Sequence, residues 1–155
     1  MSEQTLYIIR GIPGAGKTTL GKAIMNALNK EAGYEICKEF ENDQFFTKVN
    51  DKGEEVYNWN PRKMGMAIHY CEDNVRKTLE DGMDCVVANT FTKKSEFINY
   101  IDMALELGVD YVVITCDGGF QNVHSVPDAT LKLMSARWEP FPGEIKYKVG
   151  DELPL

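Results

Sequence analysis

Residues 11–18 read Gly-Ile-Pro-Gly-Ala-Gly-Lys-Thr, which fits the phosphate-binding pattern G-x-x-x-x-G-K-[ST]. The glycines of this loop allow the backbone to curl, so that successive N–H groups point inward at a polyphosphate. Lys17 would then reach the β- and γ-phosphates, and the Thr18 hydroxyl would ligate Mg²⁺. The loop therefore predicts binding of ATP or another NTP through Gly11, Ile12, Pro13, Gly14, Ala15, Gly16, Lys17, Thr18 and Thr19.

The segments on either side of this loop are the ones that a phosphate-binding loop requires. An apolar run at 6–9 precedes it and predicts a buried strand, and apolar residues recur at helical spacing from Leu20 to Leu28. Gly33 is typical of the end of a helix, so we expect the first helix to cover residues 17–32. Because a strand leads into the loop and a helix begins at its end, we interpret it as a phosphate site and not as a glycine-rich turn that matches by chance.

The remainder of the chain alternates apolar runs with amphipathic segments. Strands are predicted at 34–40, 85–88 and 111–116, a hairpin at 47–57, and helices at 60–82, 93–107 and 127–139. This alternation requires a mostly parallel sheet with right-handed crossovers and helices on both faces. No linker or repeat divides the 155 residues, so we predict a single α/β domain of the P-loop NTPase or kinase type.

Apolar stripes on two of these helices predict which side chains are buried. We expect inward positions at Met64, Ile68, Cys71, Val75 and Leu79 on the long helix, and at Phe97, Ile101, Ala104 and Leu105 on the next. The four cysteines are far apart and form no C-x-x-C pair. We expect buried thiols in a reducing compartment at Cys37, Cys71, Cys85 and Cys116.

The C-terminal part of the sequence predicts a lid followed by a strand or an arm. The chain becomes polar and glycine-containing from Asp117, before a helix that starts at Pro127. We interpret residues 117–139 as a short lid. Within 141–155, apolar residues alternate with polar ones from Ile145 to Val149, which predicts an edge strand or an extended arm.

Charge and composition limit the classes of partner. Seventeen basic and twenty-four acidic residues give a formal net charge of −7, which argues against tight binding of a nucleic-acid backbone. A nucleotide or a short single-stranded nucleic-acid end could still enter a locally positive cleft. No apolar run is long enough to cross a membrane, and residues 1–4 do not begin a signal peptide. We therefore expect a cytoplasmic protein with no membrane partner.

Taken with the loop, several short motifs resemble the polynucleotide kinase family, which comprises the 5′-hydroxyl kinase half of bacteriophage polynucleotide kinase and related small P-loop kinases of the AAA type. The motifs are Asn42-Asp43, Glu54-Glu55-Val56-Tyr57, Asn60-Pro61, Asn89-Thr90, and Met-Ser-Ala-Arg-Trp-Glu-Pro at 134–140. The resemblance spans about residues 5–140. It implies transfer of the γ-phosphoryl group of ATP, with Mg²⁺, to a hydroxyl of a nucleic-acid end, a nucleotide or a nucleoside-like substrate.

The resemblance also implies catalytic roles for two residues outside the loop, in addition to Lys17. Asp43 matches the aspartate that accepts the proton of the hydroxyl, and Arg137 matches an arginine of the lid helix that neutralises charge on the transferring phosphoryl group. The residues alone leave other interpretations open, because Asp43 could cap a turn and Arg137 could form a surface salt bridge.

Three features depart from the pattern of this family. One is the lid, because the phage enzymes offer basic residues just before its Val-Pro, whereas residues 121–127 read Gln-Asn-Val-His-Ser-Val-Pro. The other two are single positions. Phe46 stands where the phage enzymes carry an arginine for the phosphate of the acceptor, and Asn89-Thr90 lacks an aspartate that would help to hold Mg²⁺. Metal support would then come from Thr18, water and either Asp43 or Asp117. These departures keep a second interpretation open, in which the chain is a nucleotide-binding module or a weak NTPase that acts through a protein partner. A nucleoside-monophosphate or small-metabolite kinase of the same architecture is a third.

A few further side chains are candidates for contact with the acceptor. Tyr57 and Trp59 could stack on a base, although packing within the hairpin is the alternative. Lys93, Lys94 and His124 could contact the substrate, and the alternative for each is a solvated side chain.

Overall fold

The structure, a computed structural model, describes residues 3–117 and 126–155. Its elements in chain order are β1 (Thr5–Arg10), α1 (Lys17–Ala32), β2 (Cys37–Phe40), β3 (Thr47–Val49), β4 (Glu55–Tyr57), α2 (Met64–Glu80), β5 (Asp84–Asn89), α3 (Lys94–Leu107), β6 (Asp110–Cys116), α4 (Asp128–Ala136) and β7 (Ile145–Tyr147). Short 3₁₀ turns follow β2 at Asn42–Phe46 and precede α2 at Pro61–Lys63. Part of the predicted lid, including His124, lies outside the described residues.

Five parallel strands form the main sheet in the order β2-β5-β1-β6-β7, while β3 and β4 pair as a separate antiparallel hairpin. The central strand is β1, and its last residue Arg10 pairs with Asn89 of β5 and Thr115 of β6. The carboxyl ends of these three strands therefore meet at one edge, which is where open α/β sheets bind their ligands. The predicted α/β fold with a mostly parallel sheet is confirmed.

Alternate residues of β1 pack on opposite faces of this sheet. Leu6 and Ile8 belong to the core beneath α2 and α3, whereas Tyr7 and Ile9 belong to the core beneath α1. Burying one large apolar side chain contributes roughly 1.5–3 kcal/mol. The two cores therefore hold helices against both faces and fix the sheet edge to which the loop is attached.

The first helix has the predicted bounds, but β2 starts later than predicted. Gly33 ends α1 with a φ of +82°, and the Asn29 side chain accepts hydrogen bonds from the N–H groups of Ile36 and Cys37. Tyr34 is 71% exposed. Residues 34–36 are therefore a connection held by Asn29, and the strand begins only where the chain meets β5.

Two predicted core positions are wrong. Ile68 is 41% exposed and Leu105 is 66% exposed. On α2 the buried residues include Ala67 beside the predicted Cys71, Val75 and Leu79, and on α3 they include Tyr100 and Met103. Because these residues lie on the other side of each stripe, the helices are rotated about their axes relative to the orientation that the apolar spacing suggested.

Two smaller expectations are confirmed. The four cysteines are free and buried. The predicted edge strand is β7, which pairs in parallel with β6 at the border of the sheet. Among the helices that the structure describes, none is both long and apolar enough to cross a membrane.

Candidate functional site

The loop between β1 and α1 forms a tight cradle whose glycines cannot be replaced without strain or crowding. Gly14 and Gly16 have φ angles of +85° and +95°, in the left-handed region that glycine adopts without strain. A Cβ atom at Gly11 would lie 3.2 Å from the Cβ of Ala15 and 3.3 Å from that of Cys116. Since a helix also leaves its first N–H groups without intrahelical partners, the cradle and the start of α1 fit an anion such as a polyphosphate.

The Lys17 side chain folds back over this loop. Its Nζ donates a hydrogen bond to the backbone oxygen of Ile12 at 3.2 Å. Burial lowers the pKa of Lys17, while the nearby Cys116, Glu41 and Asp43 act in the opposite direction. The ammonium group is thus held at the loop by a carbonyl contact that phosphate oxygens can replace with stronger, charge-assisted hydrogen bonds.

Thr18 contacts a carboxylate that the sequence analysis missed. Its Oγ1 donates to Oε1 of Glu41 at 2.7 Å. Mg²⁺ prefers oxygen ligands and is usually held by one or two carboxylates together with substrate phosphates, so the donor set of Thr18 and Glu41 fits this ion. The sequence feature that could have identified Glu41 is its position directly after β2, because β2 ends at the same edge of the sheet as the loop.

A second glutamate, Glu39, lies beneath Glu41. It is 8% exposed, and its Oε1 has no hydrogen-bond partner in the described part of the chain. Burial raises the pKa of Glu39 to about 9, with a hydrogen bond to Glu41 and the charge of Glu41 as further causes and Lys22 opposing them. Burial thus disfavours a negative charge on Glu39, beneath the contact between Glu41 and Thr18.

Asp43 lies on the 3₁₀ turn after β2, and its side chain is exposed. Tyr57 of the hairpin donates a long hydrogen bond of 3.4 Å to its Oδ1. The turn is anchored by Asn42, whose N–H donates to Oδ1 of Asn89 at 2.9 Å. The fold thus brings Asp43 to the edge that carries Lys17, whose pKa it influences. Its catalytic role stays a prediction.

Arg137 lies directly after α4. Its Nε donates a hydrogen bond to Oγ1 of Thr92 at 3.1 Å, and Thr92 is a buried residue of the loop that follows β5. Within residues 3–117 and 126–155, Arg137 forms no ion pair. The contact with Thr92 holds the end of α4 beside the carboxyl end of β5.

The residue before the loop, Arg10, is fully buried and was not identified from the sequence. Its Nη1 pairs with Oε2 of Glu144 at 3.1 Å, and its Nη2 donates to the backbone oxygen of Thr92 at 3.1 Å. The guanidinium lies 4.8 Å from the ring centroid of Phe97 and 4.1 Å from that of Trp138. It therefore links the start of the phosphate loop to the segments after β5 and after α4. The position of Arg10 at the end of an apolar strand could have indicated a buried ion pair, because a buried charge requires a partner.

The loop after β5 contains a strained residue, Phe91, with a φ of +46°. Its ring packs 5.7 Å from the rings of both Phe97 and Tyr100, and its backbone oxygen accepts a hydrogen bond from Nε of Arg10 at 2.9 Å. Positive φ in a bulky residue persists only where surrounding contacts determine it. The Arg10 contacts thus hold this loop in the conformation that presents Thr92.

The two lysines at the start of α3 are exposed. The N–H of Lys94 donates to Oε1 of Glu139 at 2.9 Å, and its Nζ lies 5.7 Å from the centroid of the Phe141 ring. Lys94 therefore contacts the C-terminal segment, whereas a substrate role for Lys93 stays a prediction.

The sheet and the loop together define the class of protein. A phosphate-binding loop that follows the central strand of a parallel sheet, and that leads into a helix, is the nucleotide-binding architecture of P-loop proteins. The family model described as "AAA domain" matches residues 6–119, and the chain belongs to this family.

Solved structures support the same class at the level of fold. A putative kinase from Chloroflexus aurantiacus has a TM-score of 0.65 and 20% identity, covering 96% of this chain and 86% of its own. Kti12 from Chaetomium thermophilum, in complex with ADP-AlF3, has a TM-score of 0.65 and 14% identity, covering 95% and 90%. The APS kinase CysC from Mycobacterium tuberculosis, in complex with AMPPNP and APS, has a TM-score of 0.62 and 11% identity, covering 99% and 92%. The comparisons therefore confirm a P-loop kinase-like fold, whereas the finer resemblance to polynucleotide kinases stays a prediction.

Proposed function

We propose that this chain is a phosphotransferase that moves the γ-phosphoryl group of ATP to a hydroxyl of a nucleic-acid end, a nucleotide or a nucleoside-like acceptor. The observation that carries the proposal is the position of two carboxylates opposite the phosphate loop. Glu41 contacts Thr18, and Asp43 lies close enough to influence the pKa of Lys17. Both carboxylates thus lie at the sheet edge that carries the phosphate loop, which supports a donor side and an acceptor side that adjoin one another.

The donor side would work as follows. The N–H groups of the loop and of α1 bind the phosphates, and Lys17 exchanges the carbonyl of Ile12 for oxygens of the β- and γ-phosphates. Thr18 and Glu41 would hold Mg²⁺, which when bound neutralises charge on the phosphate oxygens. The raised pKa of Glu39 disfavours a second negative charge beneath this site.

On the acceptor side, Asp43 accepts the proton of the attacking hydroxyl. The hydroxyl oxygen forms a new bond to the γ-phosphorus while the bond from that phosphorus to the bridging oxygen of ADP breaks, so ADP leaves with the bonding electron pair. Arg137, at the end of α4, would neutralise charge on the phosphoryl group during transfer. Its contact with Thr92 supports this role by holding it near the end of β5.

A second candidate function is nucleotide binding or weak NTPase activity without efficient transfer, exercised through a protein partner. Two observations favour it. Phe46, at the position of the acceptor arginine of the phage enzymes, is buried in the core at 3% exposure. Asn89, where relatives offer an aspartate, is engaged in anchoring Asn42.

Transfer of label from γ-labelled ATP in the presence of Mg²⁺ tests the proposal. The acceptors are 5′-hydroxyl oligonucleotides, nucleosides, nucleotides and sugars, and the variants are Lys17→Ala and Asp43→Asn. Asp51→Asn, in the exposed turn of the hairpin, is the matched control. We expect Asp43→Asn to lower the transfer rate about 10²- to 10⁴-fold with ATP affinity unchanged. If ATP binds but no acceptor is labelled, and Asp43→Asn leaves ATP hydrolysis unchanged, the second candidate replaces the first.

A further inference from the structure

A cavity of about 340 Å³ lies against the 3₁₀ turn that carries Asp43, and Phe45 and Phe46 of this turn line it. It lies between the 3₁₀ turn at Asn42–Phe46, the β3–β4 hairpin and the start of α2, and Phe45, Trp59 and Lys63 are among its lining residues. Its volume is within the range of small-molecule sites, roughly 300–1,000 Å³. None of the groups that contact the phosphate loop lines it, so it is separate from the donor side.

The cavity and the predicted base are parts of the same local structure. Phe45 follows Asp43 by two residues on the 3₁₀ turn. Hydrogen bonds join the hairpin to this turn. Tyr57 donates to the Asp43 carboxylate at 3.4 Å, Thr47 Oγ1 donates to the backbone oxygen of Asp43 at 3.4 Å, and the N–H of Asn58, directly after the hairpin, donates to the backbone oxygen of Phe46 at 2.9 Å. The turn and the hairpin that form the cavity are therefore the same two elements that hold the Asp43 carboxylate.

The aromatic side chains of the cavity suit a planar ring. Trp59 is 54% exposed, which leaves much of its indole without a packing partner. Phe45 is held in place by Phe46 and Tyr70, whose ring centroids lie 5.3 and 5.6 Å from its own. Aromatic faces of this kind stack on nucleobases irrespective of the base.

The charges of the cavity suit an anion. Lys48 and Lys63 line it, and neither forms an ion pair with any residue that the structure describes. The chain as a whole has a net charge of −7, whereas the two lysines make the lining of this cavity positively charged. A phosphate group is complementary to such a pair.

We propose that this cavity is the acceptor site and that the acceptor is a nucleotide. Its base lies against Trp59, its phosphate binds Lys48 and Lys63, and a free ribose hydroxyl faces Asp43. This inference rests on the proposed phosphotransferase function and narrows its acceptor. A free mononucleotide and the terminal nucleotide of a strand have this chemistry in common, whereas a sugar lacks the ring and a nucleoside lacks the phosphate.

Binding to the acceptor side can be measured with the donor side filled by saturating AMPPNP and Mg²⁺. The probes are cytidine, cytidine 3′-monophosphate, cytidine 5′-monophosphate and a short 5′-hydroxyl oligocytidylate, titrated by calorimetry. We expect Trp59→Ala to weaken binding of every phosphorylated probe by about 5- to 150-fold, the range that one stacked base accounts for. Trp59→Phe keeps a stacking face and is expected to retain most of the affinity, which separates stacking from folding.

The lysines have a different signature. We expect the double substitution Lys48→Gln and Lys63→Gln to weaken binding of the phosphorylated probes and to leave cytidine unchanged, with a smaller dependence on salt. The matched controls are Tyr34→Ala and Lys30→Gln, both exposed on or beside α1 and away from the cavity. The relative affinities of the mononucleotides and the oligonucleotide identify which source of the nucleotide the site prefers.

The inference is overturned if no phosphorylated probe binds, or if Trp59→Ala has no more effect than Tyr34→Ala. It also fails if label is transferred to a sugar and the Trp59 and lysine variants transfer at the wild-type rate, an outcome that preserves the phosphotransferase function. Nucleotide binding that depends on Trp59, in a protein that transfers no label to any acceptor, instead contradicts the phosphotransferase function and leaves the cavity as a nucleotide site.

Discussion

The buried pair of Arg10 and Glu144 allows a stringent test of the energetics of this site. The guanidinium is 0% exposed and the glutamate side chain is 8% exposed. Substituting Glu144→Ala leaves a buried positive charge without its carboxylate, and breaking a buried pair in this way typically costs about 3–5 kcal/mol. Arg10 retains two backbone oxygens and two aromatic rings as partners. We therefore expect the lower end, about 3 kcal/mol.

Urea unfolding followed by circular dichroism measures this loss. With a slope of about 2 kcal/mol per molar urea, the midpoint would fall by about 1.5 M. The matched control is Glu106→Ala, because the pair of Arg76 and Glu106 has the same 3.1 Å separation while its side chains are 37% and 65% exposed. An exposed pair contributes about 1 kcal/mol or less, so the control should change the midpoint little.

A double substitution decides whether the cost arises from the unpaired charge. The double variant Arg10→Met, Glu144→Met has lost both charges. Its loss in unfolding free energy should be smaller, by up to about 3 kcal/mol, than the sum of the losses measured for Arg10→Met alone and Glu144→Met alone. Equal losses for Glu144→Ala and Glu106→Ala, or strictly additive losses in the double variant, would refute the reasoning.

Three further predictions concern the phosphate loop and its carboxylates. The pKa of Glu39 is raised from 4.5 to about 9, so between these pH values the folded chain holds a proton that the unfolded chain has lost. The free energy of unfolding should therefore fall with rising pH, by up to about 1.4 kcal/mol per pH unit. Urea unfolding at pH 5–9 measures this dependence, and the same dependence on pH in a Glu39→Gln variant would contradict the prediction. Gly16→Ala and Gly33→Ala impose similar strain, about 1–2 kcal/mol each, because the two glycines have φ angles of +95° and +82°. Calorimetry should nevertheless find that only the Gly16→Ala variant has lost ATP binding. Equal ATP affinity in both variants would count against the cradle. Glu41→Gln should weaken binding of Mg²⁺-ATP by about 10- to 100-fold without affecting metal-free ATP, and an equal effect on both would remove Glu41 from the metal site.

The parts that could be predicted from the sequence are those that depend on neighbouring residues. The bounds of α1 follow from glycines at 16 and 33, because both adopt positive φ and end the regular helix there. The phosphate loop follows from a spacing that brings backbone N–H groups together whatever surrounds it. The α/β class follows from the alternation of strands and helices, since that order admits few arrangements.

The parts that could not be predicted depend on residues far apart in the chain. The rotations of α2 and α3 depend on what each helix packs against, so Ile68 and Leu105 were assigned to the wrong face. The partner of Thr18 is 23 residues away in Glu41, and the partner of Arg10 is 134 residues away in Glu144. Apolar spacing carries no information about such pairs.

By itself, then, the sequence determined the phosphate loop, the helix that follows it and the layered α/β class, because these arise from local backbone geometry and periodic burial. Only the tertiary structure decided which carboxylate lies beside Thr18 and how the charge of the buried Arg10 is compensated. It also decided that aromatic rings and two lysines form a cavity against the turn that carries Asp43. Each of these depends on the order β2-β5-β1-β6-β7 or on how the hairpin folds over its neighbours. Such contacts form only when segments far apart in the chain come together. Their energies depend on the burial that arises when several segments pack against one another.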